Sequence, residues 1–188
     1  MAPGDDSRAS APFGSGIRDL GGVPDATAYG YAQRRSWIFF AWWYPAVLAI
    51  AGLLYAVLAL ALGQSAETGI VMAVLGAVLA STGWALTAWL RFTRRPPRPA
   101  SDLLRVERGI RGTPVMVWTI LVATTAAVVA LILFTPNGAS PENLPLLGLL
   151  VTVPLGSAAG LLHTRRLMCN SAGLYARWLE RRSLTEHS

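Results

Sequence analysis

Residues 69–87 read GIVMAVLGAVLASTGWALT, an apolar stretch whose smallest side chains are Gly69, Ala73, Gly76, Ala80, Gly83 and Thr87. Their separations alternate between four and three, which holds them on one stripe of a helix, as heptad positions a and d are held. Inside a bilayer two helices gain nothing by hiding apolar surface, because the lipid tails are apolar already. Association there relies on close van der Waals contact, which small residues permit. The stripe therefore predicts a membrane helix packed tightly on a neighbour.

Reading outward, the chain has four runs without a charged residue: 38–62, 69–90, 115–134 and 144–162. Each covers about the 20 residues that a hydrocarbon layer of ~30 Å requires at 1.5 Å per residue. Of 188 residues, 53% are hydrophobic and 14% charged, where soluble domains carry about a quarter charged. Four such runs in a chain this short leave little polar surface for water, so a soluble bundle is a poor fit. The expected fold is an all-α integral membrane protein. Its four transmembrane helices, about 38–62, 69–90, 115–134 and 144–163, form two hairpins.

Similar stripes recur: Pro45, Ala49, Gly52, Ala56, Ala59 and Gly63 in the first span, Thr119, Ala123, Ala126 and Ala130 in the third, Thr152, Gly156, Ala159 and His163 in the fourth. Gly52, Ala56, Ala73, Gly76, Ala80, Gly83 and Gly156 are the expected helix-packing positions. Pro45 and Pro114 fall near the starts of their spans, where a missing N–H costs nothing. Pro154 falls mid-span and should kink it, with Thr152 or Ser157 partly satisfying the freed carbonyl.

Arginine placement gives the orientation. All sixteen basic residues are arginine, which points to a GC-rich coding genome of the actinobacterial kind. They fall in the N-terminal segment, the loop 91–113 and the C-terminal tail; the connections 63–68 and 135–143 have none. By the positive-inside rule both termini and the long loop are cytoplasmic, in a multi-pass protein of the cytoplasmic (inner) membrane. Tryptophans 37, 42, 43, 84, 89, 118 and 178 gather on the same side, as indole favours the headgroup boundary. Paired arginines before an apolar run also resemble an export signal. Twenty-five apolar residues holding Trp42 and Trp43, with Trp37 just before them, instead fit a permanent span, since signal cores run about 7–15 residues.

Outside the membrane domain (37–163), residues 1–36 lack periodicity and are expected to be a disordered tail. In the loop 91–113, consecutive prolines precede a short helix capped by Ser101 and ended by Gly112 and Pro114. The tail 164–188 reads as a basic amphipathic helix with Leu167, Ser171, Leu174, Tyr175 and Trp178 on one face. Such a helix lies on the inner leaflet or docks a protein partner. The expected membrane-surface residues are Trp42, Trp43, Trp89, Arg177, Trp178, Arg181 and Arg182, meeting anionic lipids at the cytoplasmic face. The positive-inside pattern accounts for the net charge of +6, so nucleic acid is not an expected partner.

Catalytic signals are lacking. The sequence shows no metal-spaced Cys/His cluster and no phosphate-cradling glycine loop, and Cys169 is a lone thiol; no cofactor or metal is implied. His163, at the end of the fourth stripe, is the one weak functional candidate, as a proton relay or as a boundary residue. The spans hold no acidic residue, whereas coupled transport marks itself with intramembrane ionisable groups. Thr82, Thr124 and Thr125 are left to bond across helices or back to their own carbonyls. The expected function is a non-enzymatic structural, accessory or assembly subunit. It would work as a homo-oligomer or with other membrane-protein subunits; the alternative is a small oligomeric transporter or pore. Reporter fusions after Ser65 and Ser140 should register outside the cytoplasm, and those after Ser101 and Ser188 inside; loss of the N-terminal segment from the mature chain would break the four-span scheme.

Overall fold

The computed structural model describes residues 23–89, 97–135, 138 and 140–186. It contains five α-helices: α1 (Val23–Ala61), α2 (Glu67–Trp89), α3 (Leu103–Phe134), α4 (Leu144–Cys169) and α5 (Ser171–Glu186), with a 3-10 turn at Pro141–Asn143 before α4. The first four are long and apolar enough to cross a membrane. Their apolar side chains stand outward along the shafts, as at Leu53, Val71, Val122 and Leu133. That pattern suits hydrocarbon, not water.

α1 is the hub. It packs against α2, α4 and α5, while α4 carries α3 on its other side. The four long helices thus run α2, α1, α4, α3 in a row, with α2 resting chiefly on α1 and α3 chiefly on α4. Ala51 and Ala59 on α1 are wholly buried.

The α1–α2 contact is made backbone to backbone. A Cβ on Gly76 would lie 2.5 Å from Ala49 N, one on Gly69 would lie 2.6 Å from Ala56 N, and one on Gly52 would lie 2.5 Å from Ala73 N. No real Cβ tolerates these separations, so any larger residue must push the two helices apart. Gly83 comes up against the carbonyl oxygen of Ala41. α4 meets α1 through glycines as well, but against side chains: Gly148 faces Leu54 and Leu58, Gly156 faces Val47, and Gly160 faces Trp43. Within α4, Ala158 and Gly160 are buried while Ala159 and His163 are exposed. The fourth contact stripe therefore differs from the expected series. It runs through Gly148, Gly156 and Gly160, separated by eight and then four residues.

The third stripe needs a larger correction. Thr119, Ala123, Ala126 and Ala130 all lie on the exposed side of α3, and Val117 is buried. The less exposed side of α3 instead carries Val117, Ile120, Thr124, Ala127 and Leu131.

The helices also begin earlier than the charge-free runs do. α1 starts at Val23, so residues 23–36, expected as part of a disordered tail, are helical; residues 1–22 lie outside the described residues. α3 starts at Leu103 and continues through Gly112 and Pro114 without a break. Its cap is Asp102, not Ser101: the Asp102 carboxylate accepts from Arg105 N–H at 2.9 Å. A carboxylate there also meets the positive end of the helix dipole.

These longer helices change what the prolines do. Pro45 and Pro114 lie inside α1 and α3, not in a first turn, so each leaves a carbonyl four residues earlier without its helical donor. The carbonyl before Pro45 belongs to Ala41, where Gly83 makes its close approach. The one before Pro114 belongs to Ile110, which accepts from Arg165 Nε at 3.4 Å. A glycine of α2 and an arginine of α4 thus cover the gaps. Ser157, expected to help at Pro154, donates instead to Val153 O. Thr82, Thr124 and Thr125 bond back to Val78, Ile120 and Leu121 of their own helices.

Gly76→Leu and Gly52→Leu should each lower stability by about 1–3 kcal/mol through overpacking, read as a fall in the thermal unfolding midpoint in mild detergent. Ala123→Leu on the outer side of α3 should leave the midpoint unchanged. A seam misplaced by one residue would reverse these results.

Candidate functional site

The functional candidates converge at one end of the row, where α1 begins, α3 begins and α4 ends. At about 1.5 Å per residue, the 39 residues of α1 measure about 59 Å and the 32 of α3 about 48 Å. Both exceed a ~30 Å hydrocarbon layer. Their excess carries arginines, and it builds a layer of protein beyond the apolar shafts.

The first part of that layer is the clasp of α5 on α1. Tyr31 is buried, with its ring 6.2 Å from that of Tyr175 and 5.9 Å from that of Trp178; Tyr175 and Trp178 stack on each other at 5.7 Å. Ala28, Ala32 and Ser171 are buried around them. α5 departs from α4 at Asn170, whose N–H still reaches Arg166 O. The aromatic face of the tail, which the amphipathic pattern assigned to the leaflet, is therefore turned onto α1. The arginines on its other side remain outward: Arg177 and Arg181 are exposed, and Arg182 sits 5.5 Å above the Trp178 ring.

The second part is an aromatic group where α1 meets α4. Trp43 donates from Nε1 to Gly156 O at 2.9 Å, and a Cβ on Gly160 would come within 2.8 Å of that nitrogen. Gly156 and Gly160 thus form a notch one indole wide. Trp43, expected at the membrane surface, has its polar edge turned into the protein. Phe39 stacks on Trp43 at 5.1 Å and meets the His163 ring at a tilt, 4.3 Å away. Trp42 meets Phe39 edge to face. His163 is exposed; it lines a shallow recess of about 350 Å³ with Arg35, Trp42 and Trp84. Among the described residues, the recess is lined by no acidic side chain. Trp37, Trp84 and Trp118 stand outward, as boundary residues do. The side chain of Trp89 and residue His187 lie outside the described residues.

The third part is a pair of adjoining grooves. The segment 97–102 crosses the early turns of α1: Ala100 N–H donates to Ala26 O at 2.8 Å, and Gly30 lies directly beneath the Arg98 carbonyl. Glycine at position 30 is what lets the two backbones approach. On one side of this crossing is a groove of about 660 Å³ lined by Arg34, Trp37, Ile38 and Arg98. On the other is a groove of about 430 Å³ lined by Arg105, Ile110, Leu161 and Arg165. Gln33, Ala100 and Ser101 border both. The crossing segment and the extension of α1 were not foreseen as a site. The arginines were visible in the sequence, but each was credited to topology alone.

Chemically, the grooves offer cationic forks above apolar walls, suited to holding an anion attached to something greasy. Among the described residues no three His, Cys, Asp or Glu side chains gather as a metal site would need. No protein-family model matches the chain, and no curated protein or solved structure is detectably similar to it.

The clasp can be tested by a double-mutant cycle on Tyr31→Ala and Trp178→Ala. An aromatic pair in contact should couple by about 0.5–1.5 kcal/mol, read from thermal unfolding in detergent. Strict additivity would mean that α5 does not rest on Tyr31.

Proposed function

We propose that the chain is a four-span protein of the cytoplasmic membrane, with both termini and the arginine-rich end inside the cell. We further propose that it acts as an accessory or assembly subunit of a larger membrane complex, without chemistry of its own. The observation that carries this reading is the open row. α2 and α3 each rest on one main neighbour, and their remaining sides expose mostly apolar residues, among them Val71, Val78, Val122 and Leu133. A solitary four-helix unit can close on itself; a row leaves two long faces for lipid or for other spans.

Two further observations favour a subunit over a small pore. The hydroxyls of Thr82, Thr124 and Thr125, candidates for lining a pathway, bond to carbonyls of their own helices. The one histidine near a span lies against Phe39 at the arginine-rich end, away from the middle of the layer. Neither arrangement lines a polar route through the bundle.

Purification in mild detergent, followed by quantitative mass spectrometry of the co-eluting chains, tests the reading directly. A second membrane protein at fixed stoichiometry is expected. A lone homo-oligomer that conducts ions or solutes in liposomes would replace the subunit reading with the pore.

A further inference from the structure

We infer that the paired grooves at the arginine-rich end form a binding site for the phosphate headgroup of an anionic phospholipid, with its acyl chains lying along the apolar walls below. The inference rests on the membrane reading above for its source of lipid, and on the groove geometry for everything else.

Charge is the first argument. Arg34 and Arg98 line one groove, Arg105 and Arg165 the other. The acidic residue lining them is Asp102, and its carboxylate accepts from Arg105 N–H as the helix cap. The local balance is strongly positive. Arginine also suits this ligand in particular, because its planar fork matches phosphate oxygens two at a time.

Pre-organisation is the second. Arg165 Nε donates to Ile110 O, the carbonyl that Pro114 leaves without its helical partner. That bond orients the guanidinium while its terminal amino groups remain to reach an anion. Two guanidinium nitrogens of Arg34, Nε and Nη2, are buried, so this side chain too is held by its surroundings. The arginines of α5 differ in place: Arg177 and Arg181 line neither groove, and each donates from Nε to a carbonyl of its own helix, Gly173 O and Arg177 O.

The walls are the third argument, and they choose lipid over a soluble phosphate. Beneath the arginines lie Trp37 and Ile38 on one side, and Ile110, Met116, Leu161 and Met168 on the other. A hydrophilic phosphate ester would gain nothing from them. Arg34 stands four residues before the charge-free run 38–62, and Arg165 three after the run 144–162. The grooves therefore open at the level where headgroups meet hydrocarbon, and basic pockets between spans at that level are where anionic headgroups bind.

Native mass spectrometry of the full chain in uncharged detergent tests this, with phosphatidylglycerol and phosphatidylcholine offered at equal mole fraction and inorganic phosphate in a separate arm. Phosphatidylglycerol should stay bound and phosphatidylcholine should not. The double variant Arg105→Gln/Arg165→Gln should bind phosphatidylglycerol at least about tenfold more weakly, the loss expected for removing charge-assisted bonds. Arg177→Gln/Arg181→Gln should bind as the parent chain does. Arg98→Gln, in the exposed crossing segment, should weaken binding even if the α3–α4 pair proves too fragile to alter. Equal binding by the groove variants and the parent would overturn the site. An equal loss in the α5 variant would reduce it to general surface charge. Saturable binding of inorganic phosphate that displaces the lipid would assign the grooves to a soluble ligand instead.

Discussion

The backbone of α2 reaches that of α1 at Gly69 and Gly76, close enough that a single added methyl group would collide with main-chain nitrogen. Everything else in the molecule depends on this approach. In hydrocarbon the usual driving force for packing is missing, so α1 and α2 are held by dispersion between surfaces that must touch along their length. Glycine and alanine supply that contact. The same economy recurs where Gly156 and Gly160 accept the Trp43 indole, but there the partner is a side chain with a hydrogen bond of its own. α1 is thereby joined to α2 by shape alone and to α4 by shape with a polar pin.

Because α1 is fixed from both sides, its first turns become a platform. They project beyond the apolar shaft and receive two other segments: the crossing loop at 97–102 over Gly30, and α5 over Tyr31. The arginine-rich end is thus a built layer, in which a helix, a loop and a tail are locked to one another. The prolines take part. Pro114 removes a helical donor, and Arg165 of the neighbouring helix covers the vacant carbonyl, tying α3 to α4 at the level where the grooves open. A residue that weakens one helix specifies its contact with the next.

The functional reading grows from the contrast between the two ends of this architecture. Along the shafts the exposed surface is mostly apolar, and the hydroxyls of Thr82, Thr119, Thr124 and Thr125 are folded back onto their own helices. At the arginine-rich end the surface is cationic, concave and organised. The proposed function draws on the first of these surfaces and the proposed lipid site on the second.

The sequence alone determined the four long apolar helices, because spanning length and absence of charge are written residue by residue and need no knowledge of neighbours. The helical tail after the fourth span was legible in the same way, through its periodicity. The stripe at Gly69–Gly83 could be read because a spacing of four and three is a local property. What covers a stripe is not local. The series Thr119, Ala123, Ala126, Ala130 looks equivalent in the sequence, yet it faces outward, while the side with Val117, Ile120, Thr124 and Ala127 is the less exposed one. Helix starts were misjudged for a related reason: charge marks where hydrocarbon ends, while Val23 and Leu103 show that the helix continues into the polar layer once tertiary partners receive it. The face of Tyr175 and Trp178 was correctly seen as apolar, but amphipathicity cannot say whether lipid or protein lies opposite. Tyr31, more than a hundred residues away, decided that. Likewise each arginine was legible singly in the sequence, and only the crossing of 97–102 over α1 gathered four of them around two grooves.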